Sequence, residues 1–235
     1  MGARGLRGPG LKHLLTPCAV WAVPAKGFGA AGAVWAGMIR AMLELRIQQH
    51  FIDSADLHYQ LSETLAKPVD AAVQALLASL TGGGKVLVAG HGASHSLARY
   101  LAGLLVGGFE RERPALAATT LEPQSGAWPA AEGELALARQ VQALGQAGDV
   151  LVLISADGQA AALAEAADAA HAREMTVLAL TGGQGGVLAK HLRETDVHVC
   201  VPHERIARVR EVQQLVLHCL CDAIDAQLLG EQEPI

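Results

Sequence analysis

The sequence predicts a doubly wound α/β domain, a parallel sheet flanked by helices, with long helices at its N- and C-terminal ends. Three observations carry that expectation. Short apolar runs such as Val86–Ala89 and Val150–Ile154 are continuous rather than alternating, as in strands covered on both faces. These runs alternate with segments of helical period, the order of a parallel sheet built from βαβ units. Small-residue turns follow two of the runs, at Gly90-His91-Gly92-Ala93-Ser94 and Ser155-Ala156-Asp157-Gly158, and in such folds ligands bind where strands end.

Taken in order, the first strong element is a helix. Leu57, Leu61, Leu65, Val69, Val73, Leu76, Leu77 and Leu80 recur at helical spacing until Thr81-Gly82-Gly83-Gly84 stops them, and Pro68 interrupts the run. A stripe of that length serves as a core face or an oligomer surface. Next come a strand at 85–90, a helix from Ser94, a strand at 115–121 and a helix near 134–146. A strand at 149–155, a helix from about Gln159 to Arg173, and strands at 175–182 and 196–201 follow. The chain closes with a helix from about Ile206 to Leu229, on which Val209, Val212, Val216, Leu220 and Ile224 keep the helical period.

The chain has 235 residues of which 51% are hydrophobic, enough to bury a full core. Its formal charge of -5 argues against a nucleic-acid surface, which needs a basic footprint to displace counterions from phosphates. Cys18, Cys200, Cys219 and Cys221 lack paired CxxC spacing, so they read as reduced thiols of a cytoplasmic protein rather than a zinc site or a disulfide framework.

Residues 1–41 differ from the rest: they are rich in Gly, Ala and Pro, and no Asp or Glu precedes Glu44. The run Leu14–Ala25 resembles a short signal h-region, but Pro17 and Pro24 break it and no run approaches the roughly 18 apolar residues of a membrane span. The preferred expectation is an extension at 1–41 that is poorly ordered or read from an upstream start codon, with Met38 or Met42 opening the protein and one domain over 42–235.

Neither glycine turn is a dinucleotide or nucleoside-triphosphate fingerprint. Residues 90–95 read Gly-His-Gly-Ala-Ser-His, without a third glycine, and no Walker lysine follows.

Taken with "GFERERPALAATTL", "QALGQAGDVLVLIS", "MTVLALTG" and "RVREVQQLVLHCLCDAID", the two turns resemble the sugar isomerase (SIS) domain family. The similarity spans roughly residues 42–230, in the branch that holds phosphoheptose isomerase and the DnaA initiator-associating protein. It is nearest to the latter in "FERERP", "QALGQAGDV" and "LCDAID". The resemblance implies a Rossmann-like α/β subunit in a homotetramer, with sites built where subunits meet. Isomerase members interconvert sedoheptulose 7-phosphate and a heptose phosphate through an enediol, and some hold zinc.

Carried over residue by residue, the resemblance implies a changed site. The family turn Asn-Gly-Gly-Ser stands here as His91-Gly92-Ala93-Ser94. Ungapped counting puts the isomerase's histidine at Tyr100, its essential glutamate at Leu104, its glutamine at Arg210 and its second histidine at His218. Leucine cannot accept a proton. The turn Ser-Thr-Ser-Gly-Asn-Ser, which holds the sugar's phosphate, stands as Ser155-Ala156-Asp157-Gly158-Gln159-Ala160. A carboxylate at Asp157 is expected to cap the free N–H groups of the following helix and to repel a phosphate dianion.

Each candidate has a structural reading beside its functional one. Ser94 and Ser155, with Gly92, Gly158, Asp157 and Arg210, are the ligand-binding candidates; simple capping is the alternative. His218 is the catalytic candidate, or else a histidine packed on an apolar helix. His91 and His95, four apart, lack a predictable third ligand, so no metal site is expected. Arg205, Arg208 and Arg210 place cations where they oppose the helix dipole, which hints at another use. Leu228 and Leu229 end the last helix before a polar tail, as a partner surface or as packing.

On these grounds the expected function is non-catalytic. The resemblance implies a homo-oligomer that binds a DnaA-type replication initiator and promotes its assembly through multivalency. The alternatives are a sedoheptulose 7-phosphate isomerase, for which zinc would be relevant, and a module that senses a sugar phosphate without converting it. No cofactor, direct nucleic-acid contact or membrane contact is expected.

Overall fold

A computed structural model of the chain describes residues 30–122 and 135–230. It divides into two compact units, residues 1–52 and 53–235. Helix α1 (Ala30–Thr81) begins in the first and ends in the second. Of the extension expected at 1–41, residues 1–29 lie outside the described residues, while 30–41 belong to α1. The helix therefore starts well before the periodic stripe that predicts it. In the first unit its side chains Trp35, Met38, Met42 and Phe51 are exposed.

The second unit holds a parallel sheet of β1 (Val86–Gly90), β2 (Ala118–Thr120), β3 (Val150–Ile154), β4 (Thr176–Gly182) and β5 (Val197–Val201), in the order β2-β1-β3-β4-β5. The predicted parallel sheet is thus present, and its order reverses at β1. The other α-helices among the described residues are α2 (Ser94–Gly107), α3 (Leu135–Leu144), α4 (Ala161–Ala172) and α5 (Ile206–Leu229). Among the described residues, the 3-10 turn Leu188–His191 has no periodic signal in the sequence.

Strand geometry explains why the apolar runs do not alternate. Successive side chains point to opposite faces, so Val86, Val88, Val150 and Val152 pack with α1, α2 and α5, whereas Leu87, Ala89, Leu151 and Leu153 pack with α3 and α4. Both faces are covered, and polar alternation has nowhere to face water. On α1 the core positions include Leu57, Leu61, Leu65, Val73 and Leu76, those of the periodic stripe.

Two polar devices fix how the elements join. Asp149, 2% exposed, accepts hydrogen bonds from the Lys85 backbone at 2.9 Å, the Lys85 ammonium at 2.6 Å and the Gln146 backbone at 2.9 Å. It pins the starts of β1 and β3 side by side, in the register Val86 to Val150. At the far side of α2, Arg113 pairs with Asp225 of α5 and donates to the Leu104 and Leu105 carbonyls at 2.9 and 2.8 Å. The guanidinium adds charge-assisted bonds to two carbonyls of the last turns of α2 that also accept the Gly108 and Leu116 N–H groups.

Among the described residues, no helix is long and apolar enough to cross a membrane.

Candidate functional site

The sheet's carboxyl ends carry the two expected turns. After β1, Gly92 takes a left-handed φ of +56°, and Gly90 lies so close to the Ser94 backbone that a side chain there would collide with it. The chain therefore doubles back at once into α2. Ser94 is wholly buried, and its hydroxyl has no partner. It was expected to contact a ligand; here it is the first residue of α2, with its side chain buried. His95 Nε2 sits 2.8 Å from Glu122 Oε2, with Arg99 3.9 Å from the same carboxylate. The imidazole thus turns to a carboxylate just beyond β2.

After β3, Ser155 is nearly fully buried. Its hydroxyl donates to Asp157 Oδ1 at 3.1 Å and accepts from the Gly158 N–H at 3.0 Å. Asp157 Oδ1 also accepts from the Gln159 N–H at 3.0 Å. Here the expected role of Asp157 needs correction. It bonds within its own turn, whereas the N-cap of α4 is Ala160 and no side chain caps that helix. The turn ends three residues too early for the carboxylate to reach the helical N–H groups. Gly158, with φ +69°, is held against the Gly185 carbonyl, so a side chain would clash as well as strain the backbone.

A cavity of ~560 Å³ opens beside this turn, between the ends of β3 and β4. Asp157, Gln159, Gln184, Lys190, His203 and Glu204 supply its polar walls. One ammonium, one imidazole and two carboxylates make a mixed polar lining suited to a polyhydroxy ligand. Sequence spacing gave no sign of Lys190 or His203, because their loops meet only once β4 and β5 are paired.

Helix α5 links the turn to a second polar group. Gln213, 1% exposed, donates from Nε2 to the Ser155 carbonyl at 2.9 Å. Five residues on, His218 Nε2 lies 3.0 Å from the Tyr100 hydroxyl of α2. Phe109 stacks on the imidazole with ring centroids 5.5 Å apart, and Tyr100 meets it edge-on at 5.7 Å. His218 is therefore a held, half-buried imidazole with a hydroxyl partner rather than a packed core residue. Leu104, one turn beyond Tyr100, packs against the core beneath α2 and α5.

The other candidates lie apart from these groups. Arg210 is half-buried, with its Nε unpartnered. Arg208 is buried and pairs with Glu211 at 2.8 Å, and Arg205 lies 3.8 Å from Asp53, so both bind their own fold. Leu228 and Leu229 are exposed at the end of α5, 39% and 44% respectively. Of the thiols within the described residues, Cys200, Cys219 and Cys221 are free.

Sequence comparison settles the lineage. A family profile described as SIS domain matches residues 49–182. The chain belongs to the SIS-domain family. Its relatives place it in the phosphoheptose isomerase branch. It is 55% identical over 196 residues to a phosphoheptose isomerase of Methylibium petroleiphilum, covering 82% of this chain and 98% of that protein. A phosphoheptose isomerase of Azoarcus sp. is 44% identical, over 80% of this chain and 98% of its own. Among solved structures, a phosphoheptose isomerase from Neisseria gonorrhoeae superposes with a TM-score of 0.72 at 38% identity, covering 78% of this SIS-domain chain and 99% of that one.

These findings overturn the expectation of a non-catalytic SIS protein that assembles a DnaA-type initiator. Relatives matched over nearly their whole length carry the isomerase name. The expectation failed because it inferred lost chemistry from positions aligned one at a time, Leu104 and Asp157 above all. Proton transfer depends on which groups meet in space, and Tyr100 and His218 meet although 118 residues separate them.

Proposed function

We propose that this protein is an aldose–ketose isomerase of the phosphoheptose class, acting on a sugar phosphate such as sedoheptulose 7-phosphate. The observation that carries the reading is the 55% identity to a phosphoheptose isomerase across 98% of that protein's length. The site's chemistry supports it. The reaction needs an anchor for a charged polyol and a group that moves a proton between neighbouring carbons. The cavity beside Asp157 and Lys190 suits the first, and His218 suits the second.

The functional protein is proposed to be a homotetramer. Trp35, Met42, Phe51 and Tyr59 expose large apolar surface along α1, which a partner subunit would cover. Zinc, which the resemblance attaches to some isomerases, does not fit the residues around His218. Its nearest neighbours there are a phenol and a phenyl ring, and among the described residues no three His, Cys, Asp or Glu side chains converge. No step is therefore assigned to a metal.

The test is to incubate the purified full chain with sedoheptulose 7-phosphate and follow aldose formation by NMR. Steady turnover is the expected result. Absence of conversion with heptose, hexose and pentose phosphates alike would overturn the reading.

A further inference from the structure

We propose that Tyr100 and His218 form the acid–base pair of the isomerisation, with the phenol doing work that a carboxylate cannot do at Leu104. This inference rests on the isomerase reading above and names the groups that would carry it out. Three features of the pair support it.

The first is geometry. The Tyr100 hydroxyl lies 3.0 Å from His218 Nε2, within direct proton-transfer reach. The second is preorganisation. Phe109 stacks on the imidazole with an interplanar angle of 25°, and Tyr100 meets it at 69°, so rings on two sides fix its orientation. The third is access combined with placement. Tyr100 is 39% exposed, so a substrate can reach its hydroxyl. His218 and Gln213 sit on the same helix, α5, and Gln213 bonds the β3 turn at the Ser155 carbonyl.

The proton balance closes within the pair. Nε2 of neutral His218 takes the proton from the carbon beside the carbonyl, and the C–H electron pair becomes the enediol C=C bond. The Tyr100 hydroxyl gives its proton to the carbonyl oxygen as the C=O π pair becomes an O–H bond. A neutral enediol then faces a phenolate and an imidazolium that offset each other's charge. In the second half, the imidazolium returns its proton to the former carbonyl carbon, and the phenolate removes one from the neighbouring hydroxyl. The pair ends neutral, nothing is oxidised or reduced overall, and no co-reactant is consumed. An unpaired base would leave a net charge on the site at the intermediate.

The experiment compares the full-length wild type with Tyr100→Phe, His218→Gln and, as a control on the exposed face of α4, Glu165→Gln. Conversion of sedoheptulose 7-phosphate and deuterium uptake from D2O at the substrate carbon are both measured. Tyr100→Phe keeps the ring packed on His218, and a melting curve checks that each variant is folded. The expected result is a kcat at least about 100-fold lower for Tyr100→Phe and His218→Gln with KM changed by less than about threefold, and an unchanged Glu165→Gln. Deuterium uptake should fall with kcat in both pair variants. An active wild type with a folded Tyr100→Phe within about threefold of its kcat would overturn the pair alone. An inert wild type would overturn the isomerase reading, and the pair with it.

Discussion

Arg113 and Asp225 form a buried ion pair, 1% and 2% exposed, between the segment after α2 and the last turns of α5. The guanidinium also holds the Leu104 and Leu105 carbonyls, so one side chain closes the end of α2 and ties it to α5. Because α2 carries Tyr100 and α5 carries His218, this pair fixes the spacing of the helices that present them.

Removing one partner should therefore cost much more than removing both. Arg113→Met leaves the buried Asp225 carboxylate without its cation, while Leu104 and Leu105 keep their backbone donors at Gly108 and Leu116, and a loss of about 3–5 kcal/mol is expected. The double variant Arg113→Met, Asp225→Leu should recover a substantial part of that loss. Urea unfolding of the two variants measures the difference; a loss under about 1 kcal/mol for Arg113→Met would count against the role of the pair.

Asp157 places a negative charge at the turn beside the cavity. Asp157→Asn keeps an acceptor for the Ser155 hydroxyl and the Gln159 N–H while removing that charge. Affinity for sedoheptulose 7-phosphate should rise by about two- to fivefold at low salt, with less gain as salt increases. Calorimetric titration at two ionic strengths would show it, and equal or weaker binding by the variant would refute the electrostatic account.

His198 of β5 lies 2.7 Å from the Thr181 hydroxyl and against Gly185. Burial lowers its pKa below the ordinary 6.5, so the folded state favours the neutral ring. The unfolded chain then binds more protons in the window below 6.5, and stability rises with pH there. This contribution is fully present above the unfolded pKa and is lost as pH falls through the folded one. His198→Asn should flatten that part of the pH profile of urea midpoints. An unchanged slope would assign the pH dependence to other groups.

Cys221 is fully buried, and its thiol is pushed up to about 12, first by burial and then by the Asp225 charge. Because the thiolate is the reactive form, iodoacetamide near neutral pH should leave Cys221 unmodified in the folded protein and label it after denaturation. Cys219 is exposed, yet burial of its sulfur environment and Asp222 raise its pKa too, so it should label slowly. Peptide mass mapping distinguishes the two, and rapid native labelling of Cys221 would contradict the packing of α5.

What the sequence determined by itself is local or periodic. Continuous apolar runs fixed β1, β3 and β4, because a strand covered on both faces needs apolar residues at every position, and helical spacing fixed α5 at Ile206–Leu229. Gly158 was legible as a turn residue, although the reason only glycine fits, the Gly185 carbonyl, was not. The early start of α1 escaped because residues near its beginning expose their apolar side chains and show no core-facing stripe. Tertiary structure alone decided what meets across the sheet and between helices. It buried Ser94, kept Asp157 off the end of α4, brought Lys190 and His203 to one cavity, and set Tyr100 against His218. Period and turn chemistry act over a few residues, whereas a site is made by side chains whose separation depends on strand order and helix packing.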